Sequence, residues 1–225
     1  LDDVQLQTLV TTITQATVDA LKQRRGTGIG SIYAQLEQER LNHLLMEWLA
    51  LEKSRPAFSV VAIEQEVEIP FSGLPLKLRI DRIDRLDDTD ELVLIDYKTG
   101  QPTIKSWQGS RLDEPQLPLY AVTAESPVAA VAFAQINAKA MKWLGTGELQ
   151  IRHPGIEAGK LQWQEQIDVW KHDLLTLAQA FISGDARVDP KNATALQYAE
   201  DLLPLNRLVE EDAVEKMVRA HGGAG

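Results

Sequence analysis

The sequence predicts a domain of the mixed α/β or α+β class, with a central mixed β-sheet flanked by helices. One observation is the order of patterns between residues 58 and 136, which reads strand, strand, strand, helix, strand. Long helical patterns precede and follow this run, so helices are available to cover the sheet. The 225 residues, 44% of them hydrophobic, are enough to bury a full core around it.

Two helical patterns open the chain. Apolar residues recur at helical spacing over Asp2–Lys22 and over Ile32–Lys53, which predicts two helices. The expected inner face of the second helix consists of Leu36, Leu41, Leu44, Leu45, Trp48 and Leu49. The glycines between the two helices do not form a P-loop motif, because no Gly-Lys-Ser/Thr follows and no clear strand precedes them.

Three strand patterns follow, over Phe58–Ile69, Leu76–Arg85 and Leu92–Lys98. Turn residues separate them, so we expect an antiparallel meander. The acidic segment Asp87–Glu91 lies between the last two strands. We interpret it as a solvated hairpin tip, since it lacks the glycine and the ligand spacing of a calcium loop.

The remaining patterns complete the sheet and its cover. We predict a helix over Gln108–Thr123, although prolines fall in its first half, and a strand over Val128–Ile136. A short edge strand, an amphipathic helix, a loop and a final helix are predicted at Glu148–Ile151, Lys160–Ser183, residues 189–204 and Leu208–Ala220. The predicted organisation is one domain over residues 1–225, with a core at about 58–140 and helical additions at 1–55 and 159–220.

Composition excludes several classes of protein. The chain has no cysteine, which excludes disulfides, thiolate metal sites and a cysteine nucleophile and fits a reducing compartment. No apolar run approaches the roughly 20 residues that span a bilayer, and no secretory signal is visible. We therefore expect a cytoplasmic protein without a membrane partner. Because the chain opens without methionine and ends in glycines, we expect a fragment of a longer protein.

The net charge of −10 argues against simple nonspecific binding of nucleic acid. The distribution of charge weakens that objection. Residues 77 to 142 carry nine basic and ten acidic side chains, so most of the excess negative charge lies elsewhere.

The strand over Leu92–Lys98 carries the most informative polar residues. Four apolar residues run directly into Asp96, Tyr97 and Lys98. Strand alternation places Asp96 and Lys98 on one face and Tyr97 on the other. An acid and a lysine at the end of a buried strand are costly without a partner or a function. A buried structural salt bridge is the alternative to a functional site.

A second acid, Asp81, lies on the preceding strand. Two carboxylates that converge at strand ends form an oxygen-rich site that suits Mg²⁺ or Mn²⁺. We expect Asp81 and Asp96 to be the ligands, with the carbonyl of Tyr97 as a third. Lys98 would orient a water or stabilise charge that develops on a phosphate.

Three further residues have two interpretations each. Asp84 is three residues from Asp81, and we expect a structural ion pair with Arg82 or Arg85 in preference to a role in the site. Gln116 and Tyr120 share a helix face. They can hydrogen-bond a phosphate and stack on a sugar or base. The alternative is a polar contact at the helix end and a half-buried core tyrosine.

Histidine and tryptophan give no competing site. The four histidines are scattered along the sequence, so neither a serine–histidine nor a zinc arrangement is indicated. We expect His43 and His172 to lie at the surface or to be satisfied by partners. Most tryptophans are core candidates, and stacking on a base is the alternative for Trp107 and Trp143.

Residues 80–85, 95–100 and 116–120 read Ile-Asp-Arg-Ile-Asp-Arg, Ile-Asp-Tyr-Lys-Thr-Gly and Gln-Leu-Pro-Leu-Tyr. In this order they resemble the PD-(D/E)XK nuclease superfamily, and specifically the RecB-like nuclease domain of AddB-type and related bacterial recombination and repair proteins. The resemblance implies a restriction-endonuclease-like core, Mg²⁺-dependent cleavage of DNA phosphodiesters and a helicase-associated parent protein.

The resemblance also implies roles for individual residues. It places metal ligands on Asp81 and Asp96 and the catalytic lysine on Lys98. The family's Gln-x-x-x-Tyr motif falls on Gln116 and Tyr120. Two additions complete the set of candidate site residues: Glu64 is aligned with a frequent family acid, and Thr99 is placed with the substrate-binding residues.

Two departures from the family pattern bear on activity. Relatives often carry a histidine in the first helical region, and none lies between Gly26 and Glu37 here. Many relatives also bind an iron–sulfur cluster near their C-terminus. Residues 197–207 resemble the segment that holds this cluster in relatives, but they contain no cysteine. We therefore expect no iron–sulfur cluster.

The sequence thus predicts a metal-dependent DNA nuclease domain of a repair or recombination protein, expected to be an exonuclease with DNA and a helicase as partners. One alternative is an inactive nuclease fold with a DNA-binding or scaffolding role, which the absent histidine and the acidic charge favour. The other is a structural domain with a buried ion pair. Metal binding distinguishes the nuclease from the structural domain, and cleavage of DNA distinguishes it from the inactive nuclease fold.

Overall fold

The structure, a computed structural model, describes residues 2–25, 30–189 and 191. The helices of this part are α1 (Asp3–Arg25), α2 (Ser31–Glu52), α3 (Gln116–Thr123) and α4 (Trp163–Ile182), with a 3₁₀ helix at Ile104–Trp107. The strands are β1 (Phe58–Phe71), β2 (Leu74–Leu86), β3 (Leu92–Lys98), β4 (Val128–Asn137), β5 (Ala140–Gly147) and β6 (Ile156–Ala158). The chain divides into two compact units, residues 1–175 and 176–225, and the first contains all the strands found among the described residues.

The six strands form one mixed sheet in sequence order. β1 pairs with β2, β2 with β3 and β4 with β5 in antiparallel fashion. β3 pairs with β4, and β5 with β6, in parallel. The predicted α+β class and the antiparallel meander of the first three strands are confirmed.

The two central strands, β3 and β4, are buried on both faces. From Leu92 to Asp96 every residue of β3 is buried, as is every residue of β4 from Val128 to Gln135. Such continuous apolar runs are typical of strands covered on both sides. β1, at the edge of the sheet, exposes most of its residues.

The two faces of the sheet carry separate cores. Leu94 packs in a cluster with Trp107 and Trp170, to which α3 and α4 contribute. Its neighbour Val93 packs in the other cluster with Trp48 of α2. Because consecutive strand residues point to opposite faces, helices cover both sides of the sheet.

The helix predicted over Gln108–Thr123 is half as long as expected. It begins only at Gln116, after Pro115, while residues 108–115 form turns and irregular structure. A proline disfavours helical geometry in the residue before it. Pro118 falls within the first turn of α3, where its missing N–H leaves no intrahelical bond unmade.

The predicted edge strand over Glu148–Ile151 is wrong. This segment is a turn, and the strand lies earlier, in β5. Two glycines in β5 give its sequence a loop-like appearance. A Cβ at Gly145 would lie 2.5 Å from the carbonyl oxygen of Val131, so glycine here permits close packing of β5 on β4.

The predicted inner face of α2 is partly correct. Leu44 and Trp48 are buried, but Leu36 is 60% exposed and Ala34 is buried instead. The predicted final helix and most of the predicted loop over residues 189–204 lie outside the described residues. Over the described part of the chain, no helix has the length and apolar character that crossing a membrane requires.

Candidate active site

The site forms where β2 and β3 separate. The two strands pair only between Arg82–Arg85 and Leu92–Ile95. Asp81 lies one residue beyond this paired stretch. Its Oδ2 accepts a hydrogen bond from the main-chain N–H of Tyr97, at 2.8 Å. The carboxylate therefore bridges the two strands at the point where their ladder ends.

Asp96 and Lys98 lie on one face of β3, as alternation predicts. Nζ of Lys98 lies 2.9 Å from Oδ2 of Asp96 and 2.8 Å from Oε2 of Glu114. Tyr97 points to the other face, where its hydroxyl accepts a hydrogen bond from Arg82 at 2.9 Å. A lysine between two acids, with a third acid on the neighbouring strand, makes this end of the sheet strongly charged.

The environment shifts the pKa of both groups on β3. Burial raises the pKa of Asp96, and the negative charges of Asp81 and Glu114 act in the same direction, against the contact with Lys98. Burial acts to lower the pKa of Lys98, but Glu114 and Asp96 outweigh it, so the pKa is raised. Lys98 is therefore a cation at neutral pH.

The arrangement fits a divalent cation. Oδ2 of Asp96 is buried, and apart from Lys98 no group in the described residues gives it a hydrogen bond. Lys98 contacts this oxygen at 2.9 Å, which leaves the carboxylate able to accept a further partner. A buried carboxylate oxygen with an unused lone pair is a donor that Mg²⁺ or Mn²⁺ prefers.

No three Asp, Glu or His side chains of the described residues converge as a metal cluster. A cation here would therefore use the two carboxylates of Asp81 and Asp96 with a main-chain oxygen. The carbonyl of Tyr97, the residue between Asp96 and Lys98, is the predicted third ligand.

Gln116 and Tyr120 connect α3 to the β1–β2 hairpin. The side-chain amide of Gln116 donates a hydrogen bond to the carbonyl of Arg79. The hydroxyl of Tyr120 donates to the carbonyl of Gln65, at 3.4 Å, and Tyr120 is 6% exposed. These contacts correspond to the structural alternative, and the substrate-binding role stays a prediction.

Asp84 lies in a buried network of charges. It is fully buried and pairs with Arg82 and Arg55, each at 2.6 Å. Glu52 of α2 pairs with both arginines. The ion pair with Arg82 was predicted. Arg55 was missed because it is distant in sequence, and Arg85 pairs with Asp90 instead.

Glu64 lies opposite Asp81 in the β1–β2 register. Its neighbours Ile63 and Gln65 pair with Arg82 and Ile80. Glu64 itself has a φ of 49°, in the left-handed region. Its carboxylate pairs with Arg79 at 2.6 Å and is largely exposed. A role for Glu64 in the site stays a prediction.

Thr99 is exposed and directly follows β3. Its carbonyl accepts a hydrogen bond from the side chain of Asn137, at 3.1 Å. Trp107 and Trp143, considered for base stacking, are 2% and 3% exposed and belong to the two cores. Stacking on a base is therefore wrong for both tryptophans.

Sequence reasoning missed one residue of the site, Glu114. It was assigned to the interior of a helix, whereas it lies two residues before α3. Its position just before Pro115 could have placed it at a helix start. No local signal, however, indicates that it reaches Lys98.

Residues 1–195 match the family model described as the PD-(D/E)XK nuclease superfamily. No curated protein matches significantly. A solved structure described as "Crystal structure of SSO0001" is 13% identical, covers 74% of each chain and has a TM-score of 0.23, which is too low to bear on fold or function.

The family match covers most of the chain, including the whole sheet and every candidate site residue. The mixed six-stranded sheet with helices on both faces is consistent with the restriction-endonuclease-like fold that was predicted. The narrower RecB-like assignment stays a prediction. The chain belongs to the PD-(D/E)XK nuclease superfamily.

Proposed function

We propose that this protein is a metal-dependent DNA nuclease that hydrolyses phosphodiester bonds at the end of β3. One observation carries the proposal. The buried carboxylate of Asp96 lies 2.9 Å from a protonated Lys98, and Asp81 is bound to the main chain of the residue between them.

Each residue has a separate role. Asp81 and Asp96 would hold Mg²⁺ or Mn²⁺, with the carbonyl of Tyr97 as third ligand. The ion, when bound, supplies a Lewis acid that polarises the phosphodiester and makes a water more acidic. Lys98 stabilises the negative charge that develops on the phosphoryl oxygens, because its raised pKa keeps it cationic.

The acids around Lys98 hold its ammonium in place. Asp96 and Glu114 contact Nζ within 3 Å. A cation held before the substrate arrives needs little reorganisation during the reaction. A phosphate that enters the site can then take the place of one carboxylate in contact with Nζ.

The finer assignment rests on the resemblance to RecB-like domains. It comprises exonuclease action on DNA, a part in repair or recombination and a helicase partner. Thr99, Gln116 and Tyr120 are proposed to contact the substrate. Gln116 and Tyr120 also connect α3 to the hairpin that carries Asp81, so their loss would affect both binding and the shape of the site.

The test is a cleavage assay on labelled linear single-stranded and double-stranded DNA, with Mg²⁺, Mn²⁺ or EDTA. Lys98→Ala is compared with Lys171→Ala, a change at an exposed lysine of α4. We expect metal-dependent cleavage that Lys98→Ala abolishes and Lys171→Ala preserves. Equal cleavage by wild type and Lys98→Ala would overturn the proposed site.

A second candidate function is a nuclease fold that binds DNA or serves as a scaffold without cleaving. The observation that favours it concerns the start of α2. Relatives often carry a histidine in this region, and this sequence has none between Gly26 and Glu37. Glu37 is the first acid of this helix, and it is paired with Arg40. Mn²⁺ binding that needs Asp81 and Asp96, without cleavage of any DNA, would favour this candidate.

A further inference from the structure

A groove lies directly beyond the candidate active site. It has a volume of about 750 Å³ and runs between the loop that follows β3 and the β4–β5 hairpin. Its polar lining consists of Thr99, Gln101, Thr103, Gln135, Asn137, Lys139 and Lys142. We propose that this groove binds the phosphate backbone of the nucleic-acid strand next to the cleaved bond, with Lys139 and Lys142 as phosphate contacts. This inference rests on the proposed function, because it extends the same site.

The strand register places Lys142 in line with the catalytic lysine. Lys98 pairs with Gln135 across β3 and β4, and Gln135 pairs with Lys142 across β4 and β5. Residues directly paired in a sheet lie on the same face. Neighbouring strands are about 4.8 Å apart, so the Cα atoms of Lys98 and Lys142 are separated by about 10 Å.

Buried and half-buried amides hold the groove in shape. Gln135, which is 2% exposed, donates a hydrogen bond to the carbonyl of Gly100 at 2.7 Å. The side-chain amide of Asn137 donates to the carbonyls of Thr99 and Gly100, each at 3.1 Å. These bonds tie the loop after Lys98 to β4.

The same asparagine orders the hairpin that carries the lysines. Oδ1 of Asn137 accepts hydrogen bonds from the main-chain N–H groups of Lys139 and Ala140, at 2.9 and 2.8 Å. One side chain therefore fixes both walls of the groove. A binding surface that is ordered in advance loses less entropy when its ligand binds.

The charge of the groove fits a polyanion. Its lining includes two lysines and no acidic residue, in a protein with a net charge of −10. Both lysines are exposed, and neither forms an ion pair with another described residue. A concave surface of one sign attracts ligands of the other, and lysines are general phosphate contacts.

The test measures binding apart from cleavage. A short single-stranded DNA labelled at its 3′ end is titrated in EDTA over a range of salt concentrations, with fluorescence anisotropy as the readout. The proteins are wild type, the single variants Lys139→Gln and Lys142→Gln, the double variant Lys139→Gln/Lys142→Gln and the control Lys171→Gln, which removes one exposed lysine outside the groove and matches each single variant in charge. Because the substituted lysines are exposed, circular dichroism should show the same fold for all of these proteins.

We expect the double variant to bind more weakly and the slope of log affinity against log salt to fall by about 0.7 for each lysine removed. The control should keep the wild-type slope. Identical slopes for the double variant and wild type, or no DNA binding by wild type, would overturn the inference. A requirement for a 5′-terminal phosphate would also overturn it, because the proposed ligand is the internal backbone.

The outcome is separable from that of the proposed function. If wild type binds DNA through these lysines but cleaves none, the groove stands and the nuclease proposal fails. If wild type cleaves DNA through Lys98 while the double variant binds normally, the nuclease stands and the groove fails.

Discussion

The main-chain N–H of Tyr97 donates a hydrogen bond to the carboxylate of Asp81, at 2.8 Å. This bond connects the two strands after their ladder has ended, because β2 pairs with β3 only as far as Arg82. It leaves the other oxygen of Asp81 available to a cation. The same carboxylate therefore has a structural and a proposed chemical role.

Asp81→Asn separates these two roles. The amide oxygen of asparagine can still accept the bond from Tyr97, whereas the negative charge is lost. We expect Asp81→Asn to unfold in urea within about 0.5 kcal/mol of wild type and Asp81→Ala to lose about 1 kcal/mol, the usual contribution of one hydrogen bond. Both variants should lose Mn²⁺ binding by calorimetry. Unchanged Mn²⁺ binding in Asp81→Asn would remove Asp81 from the set of ligands.

The buried network predicts a large effect at a position outside the proposed chemistry. Asp84→Ala would leave the fully buried side chain of Arg55 without one of its two acidic partners. Removal of one partner from a buried ion pair typically costs 3–5 kcal/mol, so about that loss is expected in urea denaturation. Asp90→Asn removes the charge of a largely exposed partner of Arg85 and keeps a side chain that tolerates the left-handed backbone at this position, where φ is 62°, so it should cost no more than about 1 kcal/mol. Equal losses in the two variants would contradict this account.

The raised pKa of Asp96 predicts a dependence of stability on pH. A carboxyl group whose pKa is higher in the folded state favours folding when protonated, and this contribution is lost as pH rises through the folded pKa. In metal-free protein, Asp96→Asn should therefore gain stability over wild type as pH rises above the ordinary aspartate value of about 3.9. Urea denaturation between acidic and neutral pH measures the difference. If the difference in the free energy of unfolding between Asp96→Asn and wild type stays constant over that pH range, the pKa of Asp96 is not raised.

Glu114 predicts a shift in the pH dependence of cleavage. Burial acts to lower the pKa of Lys98, and Glu114 and Asp96 together raise it. Glu114→Gln should therefore lower the pKa of Lys98, and the alkaline limb of the cleavage profile should move to lower pH. Glu125→Gln, at an exposed acid after α3, is the control and should leave the profile unchanged. An alkaline limb that does not move in Glu114→Gln would show that Lys98 does not set it.

Several features of the fold and site follow from short-range patterns. The apolar run before Asp96 predicts a central strand, and the two-residue period places Asp96 and Lys98 on one face with Tyr97 on the other. Both are observed. The start of the helix predicted at Gln108 and the strand predicted at Glu148 were wrong, because prolines and glycines act on the backbone in ways that side-chain periodicity does not register.

Residue type and local spacing thus determined the sheet's central strand, the face of each polar residue on it and the family resemblance. Long-range pairing decided the rest. Three contacts join segments that are distant along the chain. They are the contact of Glu114 with Lys98, the contact of Arg55 with Asp84, and the pairing across β3, β4 and β5 that aligns Lys98 with Lys142. Strand register and helix packing set such contacts. Both depend on the burial of the whole core and leave no trace in the local sequence.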